Sequence, residues 1–343
     1  MPATIAYDTP MQSERAAHSV LSYYFRQPEK VLQIEPLGNH GGWSGSQLWR
    51  IECSGGERFC LRRWPAEHPA PERLRFIHEV LARVASLGMT VLSVPLLTLI
   101  STTFAEHSGH RWELTPWMPG KADFHAARTR PRLRAALQAL AQFHNLSAFG
   151  QPPLLGRAPC LADRQQQIAK LRAGGLDQLA TAVARGLDPQ LDQRAHALLP
   201  IARGRLENFA ARIEPAVSEA WPLVPAIRDI HHDHILFTGD QVTGIVDFGS
   251  LRIDLQLTDI ARLVGSLVGD DAEDRQFAFN AYSQLRPLTP RDIDLINLLD
   301  ESGILLGGLN WLTWLYFEQR NMGPLPPILS RLDQILTRLA RRI

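Results

Sequence analysis

Lysine is scarce in this chain. Of 343 residues only three are lysine, at positions 30, 121 and 170, and the remaining basic residues are arginine. The two cations differ in shape, hydration and proton affinity, so chemistry that commonly rests on a lysine must be carried here by another group. Excess charge is also missing. Thirty-six basic residues face 35 acidic ones, a formal net charge of +1, which excludes a dedicated nucleic-acid binder held by counterion release. Cysteine is limited to Cys53, Cys60 and Cys160. An odd count without CxxC spacing excludes a disulfide framework and points to a reducing, cytoplasmic compartment. No apolar run is long enough to span a bilayer. The longest, from Gly303 to Phe317, is broken by Asn310 and reads as a buried helix, so no membrane partner is expected. The first residues carry Asp8, Glu14 and Arg15 without an apolar core, so no secretory leader is expected.

What remains is an ordinary globular composition, 45% hydrophobic and 21% charged. The length suits two lobes, each with its own core. An amphipathic helix at 12–25 precedes strand-like segments at 31–37, 47–53 and 58–64, the last two joined across Ser54-Gly55-Gly56-Glu57. Leu74, Ile77, Val80, Leu81 and Val84 share one helical face over 71–87, with Pro71 at the start and Gly88 past the end. Further strands are expected near 94–101 and 110–117. After Trp117-Met118-Pro119-Gly120 the pattern turns helical, at 132–146, 161–185, 190–213 and from about 256 onward, with a β-rich island at 222–248. The expected fold class is therefore α+β and bilobal. A helical extension spans 1–30, a β-rich lobe with one main helix spans 31–117, and a larger helical lobe spans 118–343.

The island crowds ionisable groups between apolar strands: Ile227-Arg228-Asp229-Ile230-His231-His232-Asp233-His234, then Gly244-Ile245-Val246-Asp247-Phe248-Gly249. Such groups cost free energy unless paired or bound to something. Three imidazoles and two carboxylates within six residues could suggest a metal centre, but neighbours on an extended chain point to opposite faces. Two aspartates 18 residues apart, the second at a strand end before Phe-Gly, suit a site where one carboxylate receives a hydroxyl proton and the other holds metal on phosphates. The chain here resembles the aminoglycoside phosphotransferase and choline kinase-like family, whose fold is that of the protein kinases and whose catalytic loop reads H-G-D-x-H-x-x-N. Asp259-Ile260-Ala261 is similar to the family's Asp-Leu-Ala.

The resemblance implies an ATP-dependent phosphotransferase acting on a small-molecule hydroxyl. It makes Asp229 the catalytic base, with Arg228 and His231 beside it in the loop. Asp247 and His234 become the metal ligands, the site residues of a 227–249 catalytic loop and metal strand. Gly41, Gly42, Ser44, Gly45 and Ser46 resemble the family's loop over the ATP phosphates. Arg62 stands where the family has a lysine on the third strand, Glu79 is placed like the acid that pairs with it, and Glu113 to Gly120, with Trp117 inside it, resembles the adenine hinge. His144 ends an L-A-x-x-H helix and reads as a structural histidine. The implied cofactors are ATP and Mg²⁺. His234 replaces the family's asparagine, and its imidazole brings Mn²⁺ within reach. The acceptor is expected against inserted helices at about 150–215. There, residues 151–214 hold nine basic and six acidic side chains, which leans towards a neutral or anionic metabolite. Two other readings stay open: a nucleotide-binding protein without turnover, and a metal-dependent hydrolase built on His231, His232 and His234. The oligomeric state is left open.

Overall fold

The structure is a computed structural model and describes residues 10–27, 30–38, 45–152, 154–320 and 322–341. The chain forms two compact units. The first comprises residues 1–123 and 233–249, the second residues 124–232 and 250–343.

In the first unit, β1 (Val31–Gly38), β2 (Gln47–Cys53), β3 (Arg58–Arg63), β4 (Ala105–His107) and β5 (His110–Pro116) form an antiparallel sheet of order β1-β2-β3-β5-β4. Register assigns the faces. Leu61 lies opposite Trp49 and Leu114, whereas Arg62 lies opposite Leu48 and Glu113, and side chains directly opposite share a face. The apolar face carries Trp49, Ile51, Leu61, Trp112 and Leu114, and α1 (Pro10–Leu21) covers it with Ala17, Val20 and Leu21. The Trp49 and Trp112 rings stack at 5.3 Å, and Tyr24 Oη donates to the Trp112 carbonyl at 2.8 Å. The expected extension is thus half of a core. Helix α2 (Pro71–Ser86) buries Leu74, Ile77, His78, Val80, Leu81 and Val84, and His78 bonds Glu113 on the polar face of the sheet.

The expected strand at 94–101 does not form. Pro95 offers no N–H to a ladder, the segment makes single backbone bonds from Leu96 N–H to the Leu114 carbonyl and from Leu99 N–H to the Tyr23 carbonyl rather than a ladder, and Thr98 bonds Thr102 to close a loop. The strand beside β5 is β4 instead. The segment 233–249, which chain order would put in the second lobe, packs with the first unit. Its hairpin of β8 (Ile235–Thr238) and β9 (Gln241–Ile245) exchanges backbone hydrogen bonds with Lys121 through Phe237 and with Val91 and Ser93 through Ile245. Gly120, at φ +100°, permits this approach, because a Cβ there would lie 2.7 Å from the Phe237 carbonyl oxygen.

The second unit is mainly helical: α3 (Arg130–Ala148), α4 (Pro159–Lys170), α5 (Leu176–Val183), α6 (Pro189–Ser218), α7 (Leu257–Leu267), α8 (Ala272–Ser283), α9 (Pro290–Leu312) and α10 (Leu325–Ala340). Local chemistry starts several of them. Thr129 caps α3, Asp188 caps α6 with Pro189 following, and Thr289 with Asp292 forms a capping box on α9. The expected helix at 161–185 is broken at Gly174, whose φ of +104° ends α4's run before α5. A small sheet of order β10-β7-β6 joins β6 (Leu154–Gly156), β7 (Trp221–Ala226) and β10 (Arg252–Asp254). Nine of the eleven residues of α7 are buried, and the helix packs chiefly against α9. Among the described residues no helix is long and apolar enough to cross a membrane.

Candidate active site

In the first unit the polar face of the sheet carries an ion network. Arg62 donates from Nη1 to Asp247 Oδ1 at 3.0 Å, and its Nε lies 3.9 Å from Glu113 Oε1. Its guanidinium also covers the Trp64 ring at 4.7 Å. Glu113 is buried and takes a second partner in His78 at 2.9 Å. Burial pushes the Glu113 carboxyl up, but the His78 hydrogen bond and the Arg62 charge outweigh it and hold the group below its ordinary value. The same contest is decided the same way at Asp247, where Arg62 and His234 overcome burial. Burial opposes the Arg62 charge, yet Asp247 and Glu113 together secure it. Cys60, on the same face, has its thiol pushed up to about 11, chiefly by burial, so it is no nucleophile at neutral pH.

Glu79 does not join this network. It is exposed on the outer side of α2, and the preceding residue, His78, points inward. One residue is about 100° of helix rotation, so only packing could decide which of the two faces the sheet. Glu113 takes the pairing role expected of Glu79, because its position opposite Arg62 in the β3–β5 ladder puts it there. Trp117, beyond β5, is half-buried under Arg50 at 5.8 Å and donates its backbone N–H to the Arg58 carbonyl. Ser46 is buried and Gly45 has φ +73°. Gly41, Gly42 and Ser44 lie outside the described residues.

Asp247 itself adopts φ +61°, a left-handed conformation that aspartate tolerates better than most residues. Gly249 follows, and a Cβ there would sit 2.8 Å from Trp64 Cη2. The Asp-Phe-Gly turn is therefore seated on the same Trp64 that Arg62 covers. His234 Nε2 lies 3.8 Å from Asp247 Oδ2, the oxygen not bonded to Arg62. The pair brings an oxygen and a nitrogen donor, both types a divalent ion accepts, to within 3.8 Å of each other, so the residue types fit a metal.

The second unit carries the loop of Asp229. At its start, the fully buried Asp259 accepts the backbone N–H groups of Ile227 at 2.7 Å and Arg228 at 2.6 Å. Arg228 is held at φ +69°, a conformation that costs a non-glycine residue on the order of 1–3 kcal/mol and persists only when its surroundings impose it. Asp259 also pairs with His144 Nε2 at 3.0 Å, while His144 Nδ1 meets Tyr282 Oη at 2.8 Å. Burial lowers the His144 proton affinity despite Asp259. A neutral ring bears one N–H, and Asp259 accepts, so Nε2 carries the proton and Nδ1 accepts from tyrosine. His144 is a structural histidine in this arrangement.

Asp229 is about half exposed and receives a hydrogen bond from Arg262 Nη2 at 2.7 Å. Arg228 sends its guanidinium away to the buried Asp254, at 2.9 Å, and to Asp163, so its side chain belongs to the β10–α4 ion network rather than to Asp229. The loop turns at His232–His234 into a short 3₁₀ segment, so the alternation expected of an extended chain does not hold there. The His231 and His232 rings lie 5.7 Å apart, and His232 packs on His125 at 4.4 Å while its Nδ1 and backbone N meet Ser266 Oγ.

Arg262 and Ser266 escaped the sequence reading. A signal was present: Asp259, Arg262 and Ser266 occur at i, i+3 and i+7, one stripe of a helix, and they address residues 227–228, 229 and 232 in order.

Comparison with known proteins places these features. The sequence pattern described as the phosphotransferase enzyme family, APH, matches residues 35–291. A homoserine kinase of Methylobacterium sp. (strain 4-46) is 30% identical over 154 residues, which is 40% of this chain and 47% of that protein. The chain thus spans about half the length of the curated relative it matches. An aminoglycoside phosphotransferase from Alicyclobacillus acidocaldarius superposes with a TM-score of 0.63 at 18% identity, covering 99% of this chain and 95% of that one. An amicoumacin kinase solved with AMP-PNP and Ca²⁺ superposes with a TM-score of 0.64 at 12% identity, covering 98% and 94%. At such identities these two structures establish the fold, a kinase-like α+β architecture.

Proposed function

This chain belongs to the phosphotransferase enzyme family, and on that premise we propose that it moves the γ-phosphoryl group of ATP to a hydroxyl of a small metabolite, with Asp229 as the base. The observation that carries the reading is the loop at 227–229. A buried carboxylate fixes two consecutive backbone amides, and the next side chain is a half-exposed aspartate able to meet a hydroxyl from solution. Asp229 orients the acceptor hydroxyl and receives its proton as the oxygen attacks. Arg62, whose fork has donors beyond its two carboxylate pairs, takes the role of the missing lysine and holds phosphate oxygens. Asp247 and His234 would hold a divalent ion, Mg²⁺ or Mn²⁺, which when bound offsets the negative charge of the phosphates. The activities of the relatives, from homoserine kinase to amicoumacin kinase, support a hydroxylated metabolite as acceptor.

Coupled measurement of ADP release over a panel of sugars, amino alcohols and hydroxy amino acids tests the activity. Asp229→Asn should abolish transfer while leaving ATP affinity within about twofold, because the base touches the acceptor and not the nucleotide. Turnover in that variant comparable to the parent would refute the assignment.

A further inference from the structure

Helix α7 is buried along almost its whole length, and its one exposed position is a cation. Of residues 257–267 only Arg262 is exposed, with Ser266 half-buried. Arg262 does not extend into solvent but lies on Asp229 at 2.7 Å. Arg262 thus occupies Oδ1 of the proposed base, and an acceptor hydroxyl approaching that oxygen must displace it. Both side chains are close to half exposed, at 43% and 48%, and a pair of that exposure is weakly held. It is built to be exchanged.

What it exchanges for follows from charge. A neutral acceptor would leave Arg262 on Asp229, or separate the pair with nothing to replace it. A purely cationic acceptor would add a like charge beside Arg262. An acceptor bearing its own carboxylate lets Arg262 trade one carboxylate for another, in the planar two-point geometry that guanidinium favours. The hydroxyl then reaches the freed Asp229 oxygen. Resting on the phosphotransferase reading above, we propose that Arg262 is the specificity-determining residue of this site, and that the acceptor is a small hydroxylated carboxylate whose anionic group draws Arg262 off Asp229. The pair is close, so carboxylate and reacting hydroxyl must be only a few bonds apart, as in a short-chain hydroxy acid or hydroxy amino acid. The basic balance of residues 151–214 agrees with an anionic guest.

Matched acceptors that differ only by the carboxylate provide the test: L-homoserine against 3-amino-1-propanol, L-serine against ethanolamine, and glycerate against ethylene glycol. The parent chain should prefer the carboxylated member of at least one pair by 100-fold or more in kcat/KM. Arg262→Gln should raise KM for that acceptor at least tenfold and erase the preference. Arg262→Lys should restore part of the preference, and neither variant should move Tm by more than about 2 °C, as expected for a half-exposed pair. ATP-dependent turnover confined to uncharged or cationic acceptors, or an Arg262→Gln variant that loses both members of a pair by the same factor, overturns the inference and leaves the phosphotransferase reading standing. Absence of ATP-dependent transfer to these six compounds and to the wider panel overturns both.

Discussion

Replacing Asp259 with alanine should unfasten the loop that carries Asp229, the proposed base, and the size of the effect can be worked from its bonds. The side chain is fully buried and accepts from Ile227 N, Arg228 N and His144 Nε2. Its removal strands three donors. A buried donor left without a partner costs about 1–3 kcal/mol. Ile227 and His144 are completely buried and carry the larger penalties, whereas the Arg228 amide lies nearer the surface and contributes less. The sum is about 4 kcal/mol, and for a unit of this size each kcal/mol moves Tm by roughly 2–4 °C, so a fall of roughly 8–16 °C is expected. Asp259→Asn keeps the shape and one acceptor oxygen, and should lose about half as much. The two variants separate stability from positioning. Without Asp259 nothing offsets the left-handed backbone at Arg228, so that residue should relax and carry Asp229 out of line, lowering kcat more than KM in both. Thermal unfolding, amide hydrogen exchange at residues 227 and 228, and steady-state turnover read these effects in turn. An Asp259→Ala chain that melts within 2 °C of the parent, with unchanged protection of both amides, would refute the reasoning.

Three further expectations concern other groups. Arg62→Met should destabilise by about 3 kcal/mol, mostly because the buried Glu113 loses its cation; the coupling with the more exposed Asp247, measured by a double-mutant cycle, should stay below about 1 kcal/mol, and an unchanged Tm would contradict the network. His144 has its proton affinity lowered in the native state from an ordinary value of 6.5, so the unfolded chain takes up a proton first as the pH falls. Its contribution to stability is therefore complete above about pH 6.5 and is lost as acidity increases towards the native value; His144→Gln should flatten the fall in Tm between pH 7 and 5, and an unaltered profile would count against the neutral ring. Mn²⁺ should support turnover at least as well as Mg²⁺ because His234 offers a nitrogen donor; a strict Mg²⁺ requirement, unchanged in His234→Asn, would remove His234 from the metal site.

Much of the candidate site could be read from residue order because its signals are local. Asp229, His234 and Asp247 stand out as ionisable groups among apolar strands, and period-2 geometry already places Cys60 and Arg62 together on β3. Glu79 shows where such reading stops. Adjacent residues on α2 differ by a third of a turn, and both His78 and Glu79 are polar, so composition cannot say which one enters the core. The sheet register decides, by setting Glu113 beside Arg62 and giving His78 a buried acceptor. Arg228 misled for a related reason, since neighbouring the base in the chain says nothing of where a long, flexible guanidinium finds its carboxylates.

By itself the sequence determined the periodicities, the helix starts, the turn at Gly120 and the scarcity of lysine that leaves an arginine on the third strand, because each depends on bonds or rotations within a few residues. Only the tertiary structure decided who meets whom across long stretches of chain. It set Glu113 rather than Glu79 beside Arg62, joined the 233–249 hairpin to the first unit, and laid Asp259, Arg262 and Ser266 along the 227–232 loop. Those pairings are fixed by register and by the rotation of a buried helix. The energy that sets them comes from burying apolar faces, a sum over many side chains that no short stretch of sequence contains.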